Sequence, residues 1–143
     1  MSALVDVVQE AREKRDPQLL MQVAPYASFL GLTASIEQGE VITTMRFADH
    51  LVGDSSIPAL HGGTTGALLE SAAIFTVLFS GETLVMPKTI TLTIDYLRSG
   101  RARDTFAKGT IARQGRRIVN VRSIAWQDDP DKPIASAMVC FLV

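Results

Sequence analysis

Cysteine is almost missing from this chain: Cys140 is the only one in 143 residues. No intrachain disulfide can form, and with no second Cys and no His beside it, Cys140 lacks the spacing of a zinc ligand. It reads as a buried strand residue. An excess of charge is missing too. The formal net charge is -1 and the pI about 6.1, so the basic surplus that nucleic-acid binding draws on is absent. The opening MSALVDVVQEAREKRD has no basic stretch followed by an apolar one and a small-residue cleavage site. No signal peptide is therefore expected, and a cytoplasmic location is. The sequence shows no repeat, low-complexity tract or linker, and neither a metal site nor a cofactor is expected.

What the chain does have is apolar content. Hydrophobic residues make up 47% and charged residues 20%, which suits one domain over residues 1–143 with a sizeable core. The stretch LHGGTTGALLESAAIFTVLFSG, Leu60 to Gly81, carries one carboxylate, Glu70, in its middle. Between His61 and Glu82 no other acidic or basic side chain occurs. A membrane-spanning helix needs ~20 mostly apolar residues without a central charge, and Thr64 to Ser80 does not meet that. It is expected to be a core helix surrounded by protein on nearly every side. A buried carboxylate is costly unless paired or put to use.

Around this helix the periodicities are clear. Leu4, Val7, Val8 and Ala11 fall on one face of a helix over Ala3 to Lys14, and a second short helical segment follows at Pro17 to Val23. Leu32 to Phe47 reads as two strands turning at Gly39, and Gly53 to Pro58 as a polar loop. In KTITLTIDYL the alternation puts Ile90, Leu92, Ile94 and Tyr96 on one face and Thr89, Thr91, Thr93 and Asp95 on the other. Thr105 to Arg113, Ile118 to Trp126 and Pro133 to Leu142 read as three further strands in an antiparallel meander. One sheet covers only part of an all-round apolar helix, so a second layer is expected from another copy of the chain, as an obligate homodimer.

HGG with a carboxylate nine positions after the His, a strand of the TITLTIDYLR type and a later RQGRRIVNV segment together resemble the hotdog-fold acyl-CoA thioesterases of the phenylacetate-degradation (PaaI-like) family. The resemblance covers Ala24 to Val143 and leaves residues 1–23 as a helical N-terminal extension. It implies an α+β hotdog fold, an antiparallel sheet wrapped around a long central helix. It also implies dimers formed by joining sheets, tetramers as dimers of dimers, and an acyl-CoA substrate.

Thioester hydrolysis needs a group that activates water or attacks directly, a donor for the developing oxyanion, and a pocket. Glu70 stands where the family has its catalytic Asp or Glu. The amide of the residue after the His polarises the carbonyl in that family, a role that transfers to Gly62. Helix starts leave backbone N–H groups unpaired, and Gly63 beside it lets a substrate approach the backbone. His61 has three readings: orienting the loop, touching substrate, or acting as a base. Thr89 matches the family's water-orienting Ser or Thr, though threonines are also ordinary strand formers.

Where the family carries Asn or Gln six residues before the His, this chain has Ser55, with Asp54 and Ser56 adjacent. Arg98, Arg101 and Arg103 form one basic cluster, and Arg113, Arg116 and Arg117 another; either suits the phosphates of coenzyme A. Two other functions share these features. A hotdog dehydratase or isomerase would set a His, such as His50, opposite the helix carboxylate. A non-catalytic acyl-CoA-binding module would hold the ligand without releasing thiol.

Overall fold

The computed structural model describes residues 3–143. Helix α1, Ala3–Lys14, turns Val8 and Ala11 into the core. A 3-10 segment, Pro17–Val23, buries Leu20 and Met21 and is capped by Asp16, which accepts from the Gln18 amide. The short helix α2, Pro25–Phe29, was not expected, because five residues are too few to display a helical period.

Strands β1, Leu32–Glu37, and β2, Glu40–Met45, form the expected hairpin. Its turn needs two left-handed residues, Gln38 at φ 52° and Gly39 at φ 79°, and glycine takes that conformation without steric cost. The expected loop at Gly53 to Pro58 is partly a ribbon: β3, Val52–Asp54, pairs with β4, Ala59–Leu60, and only residues 55–58 turn. Strands this short leave no alternation to read. Helix α3 runs over Gly62–Ser80, followed by β5 (Lys88–Tyr96), β6 (Thr105–Gln114), β7 (Ile118–Trp126) and β8 (Ala135–Leu142).

Six strands make one antiparallel sheet in the order β1-β2-β6-β7-β8-β5. The meander β6–β7–β8 appears as the sequence indicated, while β5 crosses to the edge beside β8. On the inner face, Val119, Val121, Val139 and Phe141 pack with Leu68, Leu69, Ala72 and Phe75 of α3 in one buried core. The buried Ser123 hydroxyl also donates to the Leu69 carbonyl at 3.0 Å, which ties the middle of α3 to β7. Cys140 falls on the outer face of β8 and is half-exposed, between the inward Val139 and Phe141. Strand period, not residue type, decides its side.

By length and composition α3 could cross a membrane, yet 61% of its most apolar window is buried within this chain. Part of its second layer is supplied by α1. Arg12 donates from Nε to the Leu78 carbonyl at 2.9 Å and from Nη2 to the Thr83 carbonyl at 2.7 Å, and Arg15 lies over the Phe79 ring. Burial pushes the Arg12 guanidinium below its ordinary pKa. These contacts cap the C-terminal end of α3, a cover the sequence had assigned to a second copy. Along the rest of the helix Gly63, Ala67, Glu70 and Ile74 stay exposed or half-buried. Their spacing of i, i+4, i+7 and i+11 makes them one open stripe.

Candidate active site

A helix of any sequence begins with four amides that have no partner inside it. In α3 three of them are used locally. The Gly63 amide donates to His61 Nδ1 at 2.9 Å, the Thr64 amide to the His61 carbonyl at 2.9 Å, and the amide of His61 itself to a carbonyl outside the helix. Thr65, donating to the His61 carbonyl at 3.3 Å, makes the first intrahelical bond. Only the Gly62 N–H has no acceptor among the described residues. The carbonyl of the same residue accepts the Tyr96 hydroxyl at 2.7 Å, a contact the sequence did not suggest. The available signal was a tyrosine ending the apolar row of β5.

His61 is the N-cap of α3, in extended conformation at φ -64° and ψ 131°. Its own amide donates to the Leu51 carbonyl at 2.9 Å, which anchors the turn to the loop before β3. Because Nδ1 accepts a hydrogen bond, the proton of the neutral ring sits on Nε2. His61 is thus a cap that offers an N–H outward. The tautomer argues against the general-base reading. A Cβ on Gly63 would stand 3.0 Å from Nδ1, so any other residue there pushes the capping ring back by a few tenths of an ångström.

Glu70 lies on the open stripe of α3, half-buried, with no hydrogen bond or ion pair among the described residues. It is therefore less enclosed in one chain than the apolar sequence around it suggests. Thr89 departs from the expected face. Across the β5–β8 pair Thr89 stands opposite Phe141 and Thr91 opposite Cys140, with a register shift between them. Ile90 is the extra residue of a bulge, which moves Thr89 from the outer threonine row to the inner face shared with Leu92 and Ile94.

Asp54 and Ser56 bind one another: the carboxylate accepts the Ser56 amide at 2.9 Å and its hydroxyl at 2.6 Å. Those bonds, the hydroxyl's first, hold the Asp54 carboxyl below its usual pKa. Of the three candidates for the missing amide side chain, Ser55 alone keeps a hydroxyl without a partner among the described residues. His50 packs its exposed ring against Phe29 at 5.6 Å between centroids. It makes no hydrogen bond to a carboxylate among the described residues.

The arginines divide between two ends of the sheet. Arg98 and Arg101 line a cavity of about 300 Å³ with Gln127, Asp128 and Lys132, the last not singled out from the sequence. Arg103 is committed to Asp128 at 2.6 Å. This cavity adjoins the start of α3, since the Leu60 amide donates to the Gly100 carbonyl at 2.9 Å. Arg113 lies past a second bulge in β6, opposite Asn120. Arg116 borders a cavity with Glu82 and Gln114, and Arg117 one with Lys88 and Met86, at the far end of β5.

One chain therefore gathers Gly62, Gly63, His61 and Tyr96 but keeps Glu70 and Thr89 apart from them. Eight residues of α3 separate Gly62 from Glu70 by about 12 Å. Thr89 stands seven residues along β5 from Tyr96, on the order of 20 Å. Among the described residues no group of three or more His, Cys, Asp or Glu side chains is placed to hold a metal ion.

A family model described as thioesterase superfamily matches residues 58–134. The crystal structure of a protein from Chromobacterium violaceum is 35% identical, with a TM-score of 0.75 over 95% of each chain. A phenylacetic acid degradation-related protein from Ralstonia eutropha is 23% identical at TM-score 0.74, over 84% of this chain and 90% of its own. A Bacillus halodurans protein crystallised with CoA is 21% identical at TM-score 0.73, over 98% of this chain and 87% of its own. The last two likenesses are of fold alone. No curated protein matches.

Proposed function

The chain belongs to the thioesterase superfamily and has its hotdog fold, and from that premise we propose that it hydrolyses an acyl-CoA thioester to a free acid and coenzyme A. The observation that carries the proposal is the Gly62 amide, unpaired among the described residues, at the start of the helix that bears Glu70. In this reading the Gly62 N–H and the dipole of α3 stabilise the oxyanion. Glu70 either takes a proton from water as the water oxygen attacks the carbonyl carbon, or attacks that carbon itself. Collapse of the tetrahedral species expels the coenzyme A thiolate, giving the free acid directly in the first case and, in the second, a mixed anhydride on Glu70 that a water molecule then hydrolyses to the acid.

The separation of Gly62 from Glu70 and Thr89 supports a site shared between two copies. β5 is an edge strand with one side unpaired and with Ile90 and Tyr96 each 56% exposed, and such edges invite pairing. Antiparallel pairing of two β5 strands about their middle brings Thr89 of a second copy beside Tyr96, which holds Gly62 at 2.7 Å. The open stripe of α3 is then where Glu70 of that copy approaches. The same symmetry joins the cavity of Arg98, Arg101 and Lys132 to Lys88 and Arg117 of the second copy, giving a basic rim suited to the phosphates of coenzyme A. The CoA seen with the Bacillus halodurans protein fits this ligand class.

A panel of short, medium and aromatic acyl-CoAs, assayed for free thiol, tests the function. Release of thiol from at least one of them, lost in Glu70→Gln, is expected. An unsaturated or hydrated acyl-CoA as product would make the protein a dehydratase instead, and tight binding without turnover would make it a binding module.

A further inference from the structure

Two consecutive glycines open α3, and glycine is the residue that loses most conformational freedom on entering a helix. An amide meant to hold an oxyanion has to be fixed before the reaction if it is to contribute. Something must therefore hold this Gly-Gly start. The peptide between His61 and Gly62, which carries the free N–H, is clamped on its carbonyl side by the Thr64 and Thr65 amides. The next peptide, between Gly62 and Gly63, is held at both ends by side chains. Its carbonyl accepts from Tyr96 at 2.7 Å and its N–H donates to His61 Nδ1 at 2.9 Å. The Tyr96 hydroxyl and ring atoms lie 3.3 to 3.4 Å from where a Gly62 Cβ would stand, so the phenol rests directly on that backbone.

We infer that Tyr96 is a positioning residue for the Gly62 amide, acting through a hydrogen-bonded chain from its hydroxyl across the Gly62–Gly63 peptide to the His61 imidazole. Donation to the carbonyl polarises the peptide and makes its N–H a stronger donor to Nδ1. The chain thus fixes the helix start and the His61 tautomer together. Tyr96 reaches this peptide from the inner face of β5, the strand whose other end carries Thr89, so the sheet edge sets the geometry of the helix start. The inference rests on the thioesterase reading for its catalytic consequence, but the hydrogen-bonded chain can be measured without it.

The test compares Tyr96→Phe, which keeps the ring, with Tyr96→Leu, which removes ring and hydroxyl together. Both are expected to lose about five- to ten-fold in kcat with KM within about a factor of two, the size of effect one positioning hydrogen bond has. The melting temperature should fall further in Tyr96→Leu than in Tyr96→Phe, because the first also loses the packing of the ring. In a Gly62→Pro background, where the amide is gone, Tyr96→Phe should change kcat no further. By NMR, hydrogen exchange at the Gly63 amide should quicken in Tyr96→Phe. An unchanged kcat, an equal loss in both backgrounds, or unaltered Gly63 exchange would overturn the inference. A wild-type protein that releases no thiol would instead sink the thioesterase reading, and the exchange measurement would still decide whether the chain exists.

Discussion

Thr89 stands opposite Phe141, on the helix side of the sheet, although Thr91 two residues later stands opposite Cys140 on the outer side. The bulge at Ile90 makes two threonines of one strand chemically distinct. Thr89→Ala is expected to lower kcat more than it raises KM, because a water-orienting hydroxyl matters most in the transition state. Thr91→Ala should leave both constants near wild type. Steady-state kinetics on the pair check this, and equal effects at both positions would remove Thr89 from the site.

Glu70 holds no partner among the described residues, so its replacement breaks no bond among them. Glu70→Gln should leave the circular dichroism and the oligomeric state unchanged while turnover falls about a hundred-fold or more, as loss of a catalytic base or nucleophile does. A folded Glu70→Gln protein with near wild-type thiol release would end the assignment.

Gly62→Pro removes the unpaired N–H, and its added carbon meets the Tyr96 phenol at 3.3 to 3.4 Å, which has to give by a few tenths of an ångström. Proline is favoured at the first position of a helix, and His61 before it already has the extended backbone, at ψ 131°, that a following proline requires. Mixed in equal amounts with Glu70→Ala and allowed to exchange subunits, it should restore about a quarter of wild-type activity, since half the dimers are mixed and each has one intact site. No recovery, with exchange verified by mass spectrometry, would mean that each site lies within one chain.

Gly109 sets how closely α3 approaches the sheet. A Cβ there would meet Thr76 Oγ1 at 2.9 Å, Val121 Cγ1 at 3.1 Å and the Ala73 Cα at 3.2 Å. Gly109→Ala should destabilise the fold by about 1–3 kcal/mol, the usual cost of overpacking. Thr76→Ala in the same chain should return part of that, because it clears the nearest atom and removes a buried hydroxyl that has no partner among the described residues. Chemical denaturation of the single and double variants measures both.

Much of this protein was legible in its sequence wherever one period ran unbroken. The 3.6-residue pattern of Ala3–Lys14 and the stretch Ile118–Trp126, read as a strand, became elements with those very bounds, and HGG with Glu70 marked the helix that carries the candidate site. Such patterns are local, and the chain must obey them to bury its apolar face. What only the tertiary structure decided was which side and which neighbour. The inner face for Thr89 came from one extra residue in β5, against the strict alternation of the letters. The α2 helix and the β3–β4 ribbon are too short to carry a period. Tyr96 on the Gly62 carbonyl joins residues 34 positions apart. Only the packing of β5 beside α3 could bring them together, because a hydrogen bond between distant residues depends on the whole path of the chain between them and leaves no repeat in the sequence.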